Sequence, residues 1–229
     1  MKDTSATKVS SNQSIRIPPL ESGDRLSRHE FERRYQVMPE VKAELIEGVV
    51  YVASPLRFKS HAQPHGNIMG WLWTYSIATP KVELGDNPTV RLDLDNEVQP
   101  DAVLLIAGGR SHLSEDDYIE GAPELVVEVA ASSAANDLYD KKKVYRRTGV
   151  QEYIVWQTFE NKLDWFSLQQ GEYVPLVADT EGVVQSQVFP GLWLAVPALL
   201  SGDMAKVLAV LQIGLNSSQH KAFVEILSA

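Results

Sequence analysis

The sequence has no cysteine among its 229 residues. Disulfide bonds and thiolate metal sites are therefore excluded, which leaves histidine, aspartate and glutamate as metal ligands. No apolar run approaches the roughly 20 residues that cross a bilayer. The polar N-terminus also lacks the apolar centre of a signal peptide. From these absences we expect a soluble, cytoplasmic protein with no membrane partner.

Basic residues are in deficit as well. The chain has 30 acidic residues against 21 lysines and arginines, which gives a net charge of -9. Proteins that bind nucleic acid nonspecifically are usually basic, because contacts with phosphates supply most of that affinity. The charge therefore counts against broad affinity for polyphosphates. It does not exclude a local basic groove, or a site in which metal ions offset acidic side chains.

The chain has no internal repeat, and its patterns predict one main domain. Residues 1–25 are rich in serine, threonine and proline and predict a flexible leader. Residues 26–200 form the predicted domain, and residues 201–229 a C-terminal helical appendage. Helix and strand patterns alternate within the domain. This order predicts an α+β fold in which helices flank a mixed β-sheet.

Local patterns predict the individual elements. A helix begins at Ser27, where Glu30 completes a capping box, and a hairpin turns at Glu47-Gly48. The stretch 88–106 predicts two strands joined near Asp95-Asn96. A helix over 135–149 ends at a capping glycine.

Two aliphatic stretches each contain one carboxylate. Asp101 follows Pro100 at the mouth of the strand DAVLLI, and Glu128 shares one face of the strand ELVVEVA with Val126 and Ala130. Burying an unpaired carboxylate is costly, so each needs a partner or a function. If the two strands are neighbours, both carboxylates converge at one edge of the sheet.

Two converging carboxylates repel each other, and a divalent metal is the commonest way to keep both ionised. Oxygen ligands suit Mg²⁺ or Mn²⁺, which retain several waters and often bind a phosphate. The pattern leaves a second interpretation open. In that interpretation each acid is satisfied separately, by an arginine or by backbone amides.

The predicted helix after Glu128 carries Asp137, Lys141 and Tyr145 on one face. A helix packed over the sheet would direct Lys141 at the carboxylates, where a lysine can bind the scissile phosphate or orient the attacking water. The alternative is an ordinary surface ion pair between Asp137 and Lys141.

Taken together, these residues resemble a known family. The sequences QPD at 99–101, ELVVEVAASS, DxxxK at 137–141 and GVQEYIVW at 149–156, with AELIEG at 43–48, are similar to those of the Uma-two family of restriction-endonuclease-like proteins. That family belongs to the PD-(D/E)xK nuclease-like superfamily, so the resemblance implies a restriction-endonuclease-like fold with a central mixed β-sheet flanked by helices. The resemblance covers roughly residues 28–200 and implies a metal-dependent endonuclease that hydrolyses phosphodiester bonds in DNA.

The resemblance also implies a set of site residues. Asp101 and Glu128 would bind Mg²⁺ or Mn²⁺, and Glu44 would complete the metal shell. The superfamily pattern expects a lysine two residues after the glutamate, but this sequence has Ala130 there. The resemblance implies that Lys141 takes over this role from the following helix.

Three further residues are auxiliary candidates. His65 resembles a histidine that often follows the family's Ser-Pro motif, here Ser54-Pro55, although His61 competes for the same role. Gln99 could orient the site through hydrogen bonds or simply lie in a turn. Tyr145 is either a packing residue or part of the site.

Two other functions remain open at this point. The acidic charge and the alanine at position 130 favour a nuclease-like fold that binds DNA or protein without cutting. Hydrolysis of another phosphoester, such as a nucleotide, is the third hypothesis. Apolar surface on 152–168 or on the C-terminal helices would support a homodimer, which would suit a double-strand cut.

Overall fold

The computed structural model describes residues 17–38, 40–131 and 137–229. Within these ranges the chain forms fourteen β-strands and six α-helices, and the predicted mixed α+β fold is confirmed. Residues 1–16 of the predicted leader lie outside the described residues, as does the stretch 132–136 that precedes Asp137. None of the helices in the described ranges has the length and apolarity needed to cross a membrane.

The helices begin and end largely where the sequence indicates. Helix α1, Arg28–Tyr35, is capped by the Ser27 hydroxyl, which accepts the Glu30 N–H. One turn of π-helix, Phe58–Ala62, leads into α2, and a second, Asp137–Lys141, leads into α3. The remaining helices are α2 Gln63–Ala78, α3 Lys142–Thr148, α4 Val196–Ser201, α5 Met204–Leu215 and α6 Ser218–Ser228.

The strands form two six-stranded sheets and one short pair. The central sheet has the order β12-β11-β10-β9-β6-β3, in which β9 and β10 run parallel and the other neighbours antiparallel. The second sheet has the order β2-β1-β5-β4-β8-β7, and β13 pairs with β14. The strands are β1 Ala43–Ile46, β2 Val49–Val52, β3 Val82–Asp86, β4 Val90–Asp93, β5 Asn96–Val98, β6 Ala102–Ile106, β7 His112–Leu113, β8 Ile119–Glu120, β9 Leu125–Ala130, β10 Glu152–Gln157, β11 Lys162–Gln169, β12 Glu172–Pro175, β13 Val183–Gln185 and β14 Trp193–Ala195.

The stretch 88–106 forms three strands, so the prediction of two was wrong. The predicted second strand breaks at Gln99 and Pro100, with β5 in the second sheet and β6 in the central sheet. Pro100 has no N–H and cannot continue the hydrogen-bond ladder of β5. The break places Asp101 where the chain passes from one sheet to the other.

The two faces of the central sheet pack into different cores. On one face, Leu125, Val127 and Val129 of β9 join the core formed with α2, α4 and α5. On the other face, Val126 and Ala130 pack with α3 and with strands of the second sheet. Side chains alternate along a strand, so Glu128 lies in this second layer, between α3 and the sheet.

Both predicted flanking segments contact the domain where they are described. Val50 of β2 donates its N–H to the Asp24 carbonyl and accepts the Gly23 N–H, each at 2.9 Å. At the other end of the chain, Val207 and Leu211 of α5 are buried in the same core as α2. The boundaries at residues 25 and 200 remain predictions.

A buried glutamate fastens the segment before β14 to the central sheet. Glu152 of β10 is fully buried, and one of its carboxylate oxygens accepts the Gln187 and Val188 N–H groups at 2.6 and 3.2 Å. The other oxygen accepts the Ser186 hydroxyl at 2.8 Å and the Trp165 indole N–H at 3.1 Å.

We expect Glu152→Ala to lower the free energy of unfolding by about 3 kcal/mol or more, because it leaves buried donors without an acceptor. Urea denaturation followed by circular dichroism measures the change. Glu160→Ala, at the exposed turn after the same strand, is the control and should shift stability by no more than about 0.5 kcal/mol. Equal effects of the two substitutions would show that the Glu152 hydrogen bonds do not stabilise the fold in this way.

A second buried acid gives the fold a pH dependence. Burial of Glu97 on β5, together with the neighbouring carboxyl group of Glu32, raises its pKa to about 7, against the opposing charges of Arg91 and Arg28. The folded state therefore binds this proton more tightly than the unfolded state does. The resulting stabilisation is present at low pH and is lost as the pH rises through 7.

Glu97→Gln removes this titration. The stability of the variant relative to wild type should therefore rise between pH 5 and pH 8, by at most about 3 kcal/mol. Urea titrations of both proteins at the two pH values test this. A difference in stability that is the same at pH 5 and pH 8 would show that Glu97 does not titrate in this way.

Candidate active site

The candidate site begins with the pairing of β6 and β9. These strands are antiparallel, with Ala102 opposite Val127 and Val103 opposite Val126. Continuing this register by one residue sets Asp101 opposite Glu128. Residues directly opposite each other in an antiparallel pair point to the same face of the sheet. The two carboxylates named from the sequence therefore meet at one place, and both are buried.

A lysine lies between Glu128 and a third carboxylate. The Lys141 ammonium is 3.0 Å from Oε1 of Glu128 and 2.9 Å from Oε1 of Glu44 on β1. Only 6% of Lys141 is exposed to solvent. Charged groups that are removed from water need a close partner of opposite charge. Lys141 is that partner for Glu44 and for Glu128, and the two carboxylates are the partners of Lys141.

Lys141 reaches Glu128 because of the element that carries it. It is the last residue of the π-helical turn Asp137–Lys141, directly before α3. Single π-helical turns are rare and often occur at functional sites. One turn further along α3, the Tyr145 hydroxyl donates to the same Glu128 oxygen at 2.8 Å. Ala130, where the superfamily pattern expects a lysine, is fully buried on the Glu128 face of β9.

Asp101 is held by donors on both of its oxygens. Oδ2 accepts the Val129 N–H at 2.7 Å, and Oδ1 lies 3.2 Å from Nε2 of His61. Burial alone would raise the pKa of Asp101. The hydrogen bond and charge of His61, the Val129 N–H and the charge of Lys42 outweigh burial, so the pKa lies below its usual range. Asp101 is therefore ionised at neutral pH.

The structure separates the two histidine candidates. His61, in the π-helical turn Phe58–Ala62, contacts the Asp101 carboxylate. His65, in the first turns of α2, instead lies 3.1 Å from the Asp101 backbone carbonyl and 3.2 Å from the Asp86 carboxylate. His65 thus orients the backbone beside the site, whereas His61 contacts the acid itself.

Gln99 contributes to the site mainly through its backbone. Its N–H donates to Oε1 of Glu44 at 2.7 Å. Its side-chain amide donates to the Tyr35 hydroxyl and the Thr89 hydroxyl. The side chain of Asp137, the first residue of the DxxxK pattern, lies outside the described residues.

The carboxylates, Lys141 and His61 line a cavity of about 750 Å³. Asp101, Glu128, Glu44 and Lys141 line it together with cationic and apolar side chains from the segment before α2. Among the latter are Arg57 and Leu56, and Phe159 contributes from the turn between β10 and β11. Sequence patterns did not reveal these cavity residues, because they lie in loops whose position depends on packing.

The donor set fits a hard divalent cation. Within the described parts of the chain, no three histidine or acidic side chains cluster into a preformed metal cage. Mg²⁺ does not require one, because it commonly binds through one or two carboxylates and takes its other oxygens from water and phosphate. Asp101 and Glu128, opposite each other across paired strands, have the chemistry for this arrangement.

Comparison with known proteins places this architecture in a family. Residues 28–197 match the Uma2 family, described as "putative restriction endonuclease". The match spans most of the chain. The chain belongs to the Uma2 family. The resemblance that the sequence motifs indicated is therefore confirmed, over nearly the same range.

A solved structure has a similar fold to this Uma2 family member. It is the crystal structure of a "putative nuclease belonging to DUF820" from Anabaena variabilis. The TM-score is 0.56 at 16% sequence identity, and the likeness covers 74% of this chain and 96% of that one. At this identity the comparison concerns the fold alone. No curated protein matches the chain.

The contact of the Lys141 ammonium with both Glu44 and Glu128 can be tested through protein stability. We expect Lys141→Met to cost about 3–5 kcal/mol, because it leaves two carboxylates without their common cation in a buried place. Lys143→Met, on the exposed side of α3, should change stability by no more than about 0.5 kcal/mol. Chemical denaturation of both variants measures the difference. Similar stabilities for the two variants would show that Lys141 is not a buried charge partner.

Proposed function

We propose that this protein is a Mg²⁺- or Mn²⁺-dependent endonuclease that hydrolyses phosphodiester bonds in DNA. One observation carries the proposal: four residues far apart in the sequence meet on one cavity. Lys141 contacts Glu44 and Glu128 at 2.9 and 3.0 Å, and strand register sets Asp101 opposite Glu128. Two acids and a lysine are the residue types that the nuclease resemblance implies for metal binding and catalysis. Membership of the Uma2 family supports the same reading.

In this proposal Asp101 and Glu128 hold the metal, and Glu44 completes the set of acids around it. The metal, when bound, would polarise the scissile phosphodiester and offset the charge that develops on it. Asp101 suits this role because its lowered pKa keeps it ionised. The Tyr145 hydroxyl fixes the Glu128 side chain, in the way that outer hydrogen bonds orient metal ligands.

Lys141 would act on the substrate. Its ammonium lies within 3.0 Å of the Glu44 and Glu128 carboxylates, which favour the charged form. Located beside Glu128, it can orient the attacking water or bind a non-bridging phosphate oxygen. The water oxygen bonds to phosphorus as one bridging P–O bond breaks, which leaves a phosphate on one fragment and a hydroxyl on the other.

Two substitutions separate metal binding from DNA cleavage. Glu128→Gln should abolish both Mn²⁺ binding, measured by calorimetry, and nicking of supercoiled plasmid DNA. Lys141→Gln should retain Mn²⁺ binding but slow nicking by about 10²–10³-fold, the usual effect of losing one group that stabilises developing charge. Circular dichroism checks that each variant is folded.

Glu115→Gln is the matched control, since Glu115 lies in an exposed loop outside the cavity, and it should nick like wild type. Nicking by an Asp101→Asn, Glu128→Gln double variant at the wild-type rate would overturn the proposal. Absence of both Mn²⁺ binding and nicking in wild type would instead support the binding module without cleavage. In that case the pairing of Lys141 with Glu44 and Glu128 would be purely structural.

A further inference from the structure

The mouth of the cavity carries large apolar side chains that contact little of the protein. Leu56 and Phe159 both line the cavity and are both 61% exposed. Phe58, next to this lining, is exposed as well. Exposed apolar side chains are unremarkable when scattered, but a group of them around a polar cavity marks a binding surface.

Phe159 is carried by a turn that is fastened to both sides of the site. The Thr158 hydroxyl donates to the Ser60 carbonyl at 2.7 Å, and the Thr158 N–H donates to the Ala130 carbonyl at 2.9 Å. Ser60 belongs to the π-helical turn that carries His61, and Ala130 follows Glu128 by two residues. The backbone beside Phe159 therefore has a fixed relation to both carboxylates.

Cations alternate with these apolar side chains. Arg57, which follows Leu56 and precedes Phe58 in the sequence, lines the cavity, and the Lys59 ammonium lies 5.7 Å from the centre of the Phe58 ring. Lys42 also lines the cavity. Surfaces that bind single-stranded nucleic acid have this composition, because cations follow the phosphates and aromatic rings stack on the bases.

The size and depth of the cavity favour a strand with an unpaired base. Its volume of about 750 Å³ falls within the range of roughly 300–1,000 Å³ for small-ligand pockets. Asp101 and Glu128 are buried within it, so a phosphate must enter to reach them. In an intact duplex the base faces are covered by their neighbours, and an aromatic ring can stack only on a base that has left the stack.

We propose that Leu56, Arg57 and Phe159 bind an unpaired nucleotide beside the scissile phosphate, so that single-stranded or locally opened DNA is the preferred substrate. This inference rests on the proposed nuclease function and specifies its substrate. Phe159 stacks on the base, Leu56 packs against it, and Arg57 binds a neighbouring phosphate.

Binding without cleavage tests the inference. Wild-type protein in EDTA is titrated into fluorescently labelled single-stranded and duplex oligonucleotides of the same sequence, and Kd is obtained from anisotropy. The single strand should bind more tightly than the duplex. Phe159→Ala should weaken binding of the single strand by about 5- to 150-fold, the range expected for one stacked base, whereas Phe159→Trp should preserve it.

The control is Trp73→Ala. Trp73 is an aromatic residue of similar exposure, 56%, on α2 outside the cavity lining, and its removal should leave Kd unchanged. A 2-aminopurine base in the single strand should lose fluorescence when wild type binds but not when Phe159→Ala binds, because quenching reports stacking.

The possible failures can be told apart. Equal Kd values for Phe159→Ala and wild type, or a duplex bound as tightly as the single strand, would overturn this inference. If wild type still nicks plasmid DNA with Mn²⁺ in either of these cases, the proposed function stands. If wild type neither binds an oligonucleotide nor nicks plasmid DNA with Mn²⁺, both proposals fail together.

Discussion

The antiparallel pairing of β6 with β9 is the constraint on which the site depends. It brings Asp101, the residue before β6, beside Glu128 on one face of the sheet when the register is continued by one residue. Like charges that face each other across two strands destabilise a sheet. The chain offsets this repulsion with groups from outside the two strands: His61 at Asp101, and Lys141 and Tyr145 at Glu128. The arrangement around the site therefore follows from the need to keep two buried carboxylates satisfied.

The need to satisfy the carboxylates of the site also connects the two sheets. Glu44 belongs to β1, and its carboxylate accepts the N–H of Gln99, the residue directly after β5. Three residues later the chain enters β6 as part of the central sheet. The break at Pro100 thus places Asp101 at the start of β6 in the central sheet. It also places the Gln99 N–H where it hydrogen-bonds Glu44 of the second sheet. Lys141, carried by the turn before α3, closes the arrangement by contacting Glu44 and Glu128 together.

Local chemistry made much of the fold predictable. The Ser27 cap, the turn at Glu47-Gly48 and the Gly149 helix end each depend on a few adjacent residues, and the structure has each where the sequence indicates. The stretch 88–106 was less predictable. Its apolar pattern continues through the change from β5 to β6, and only Pro100 marks the break. A pattern of apolar residues shows that a strand is buried, but it does not show which sheet buries it.

The sequence by itself determined the direction of each important side chain along its own element. The period of a strand puts Glu128 on the face of Val126 and Ala130, and the period of a helix puts Tyr145 one turn from Lys141. Only the tertiary structure decided which elements meet. It paired Lys141 with both Glu44 and Glu128, selected His61 rather than His65 to contact the Asp101 carboxylate, and brought Phe159 to the cavity. The physical reason is that backbone periodicity fixes angles within an element, whereas distances between elements come from strand order and core packing.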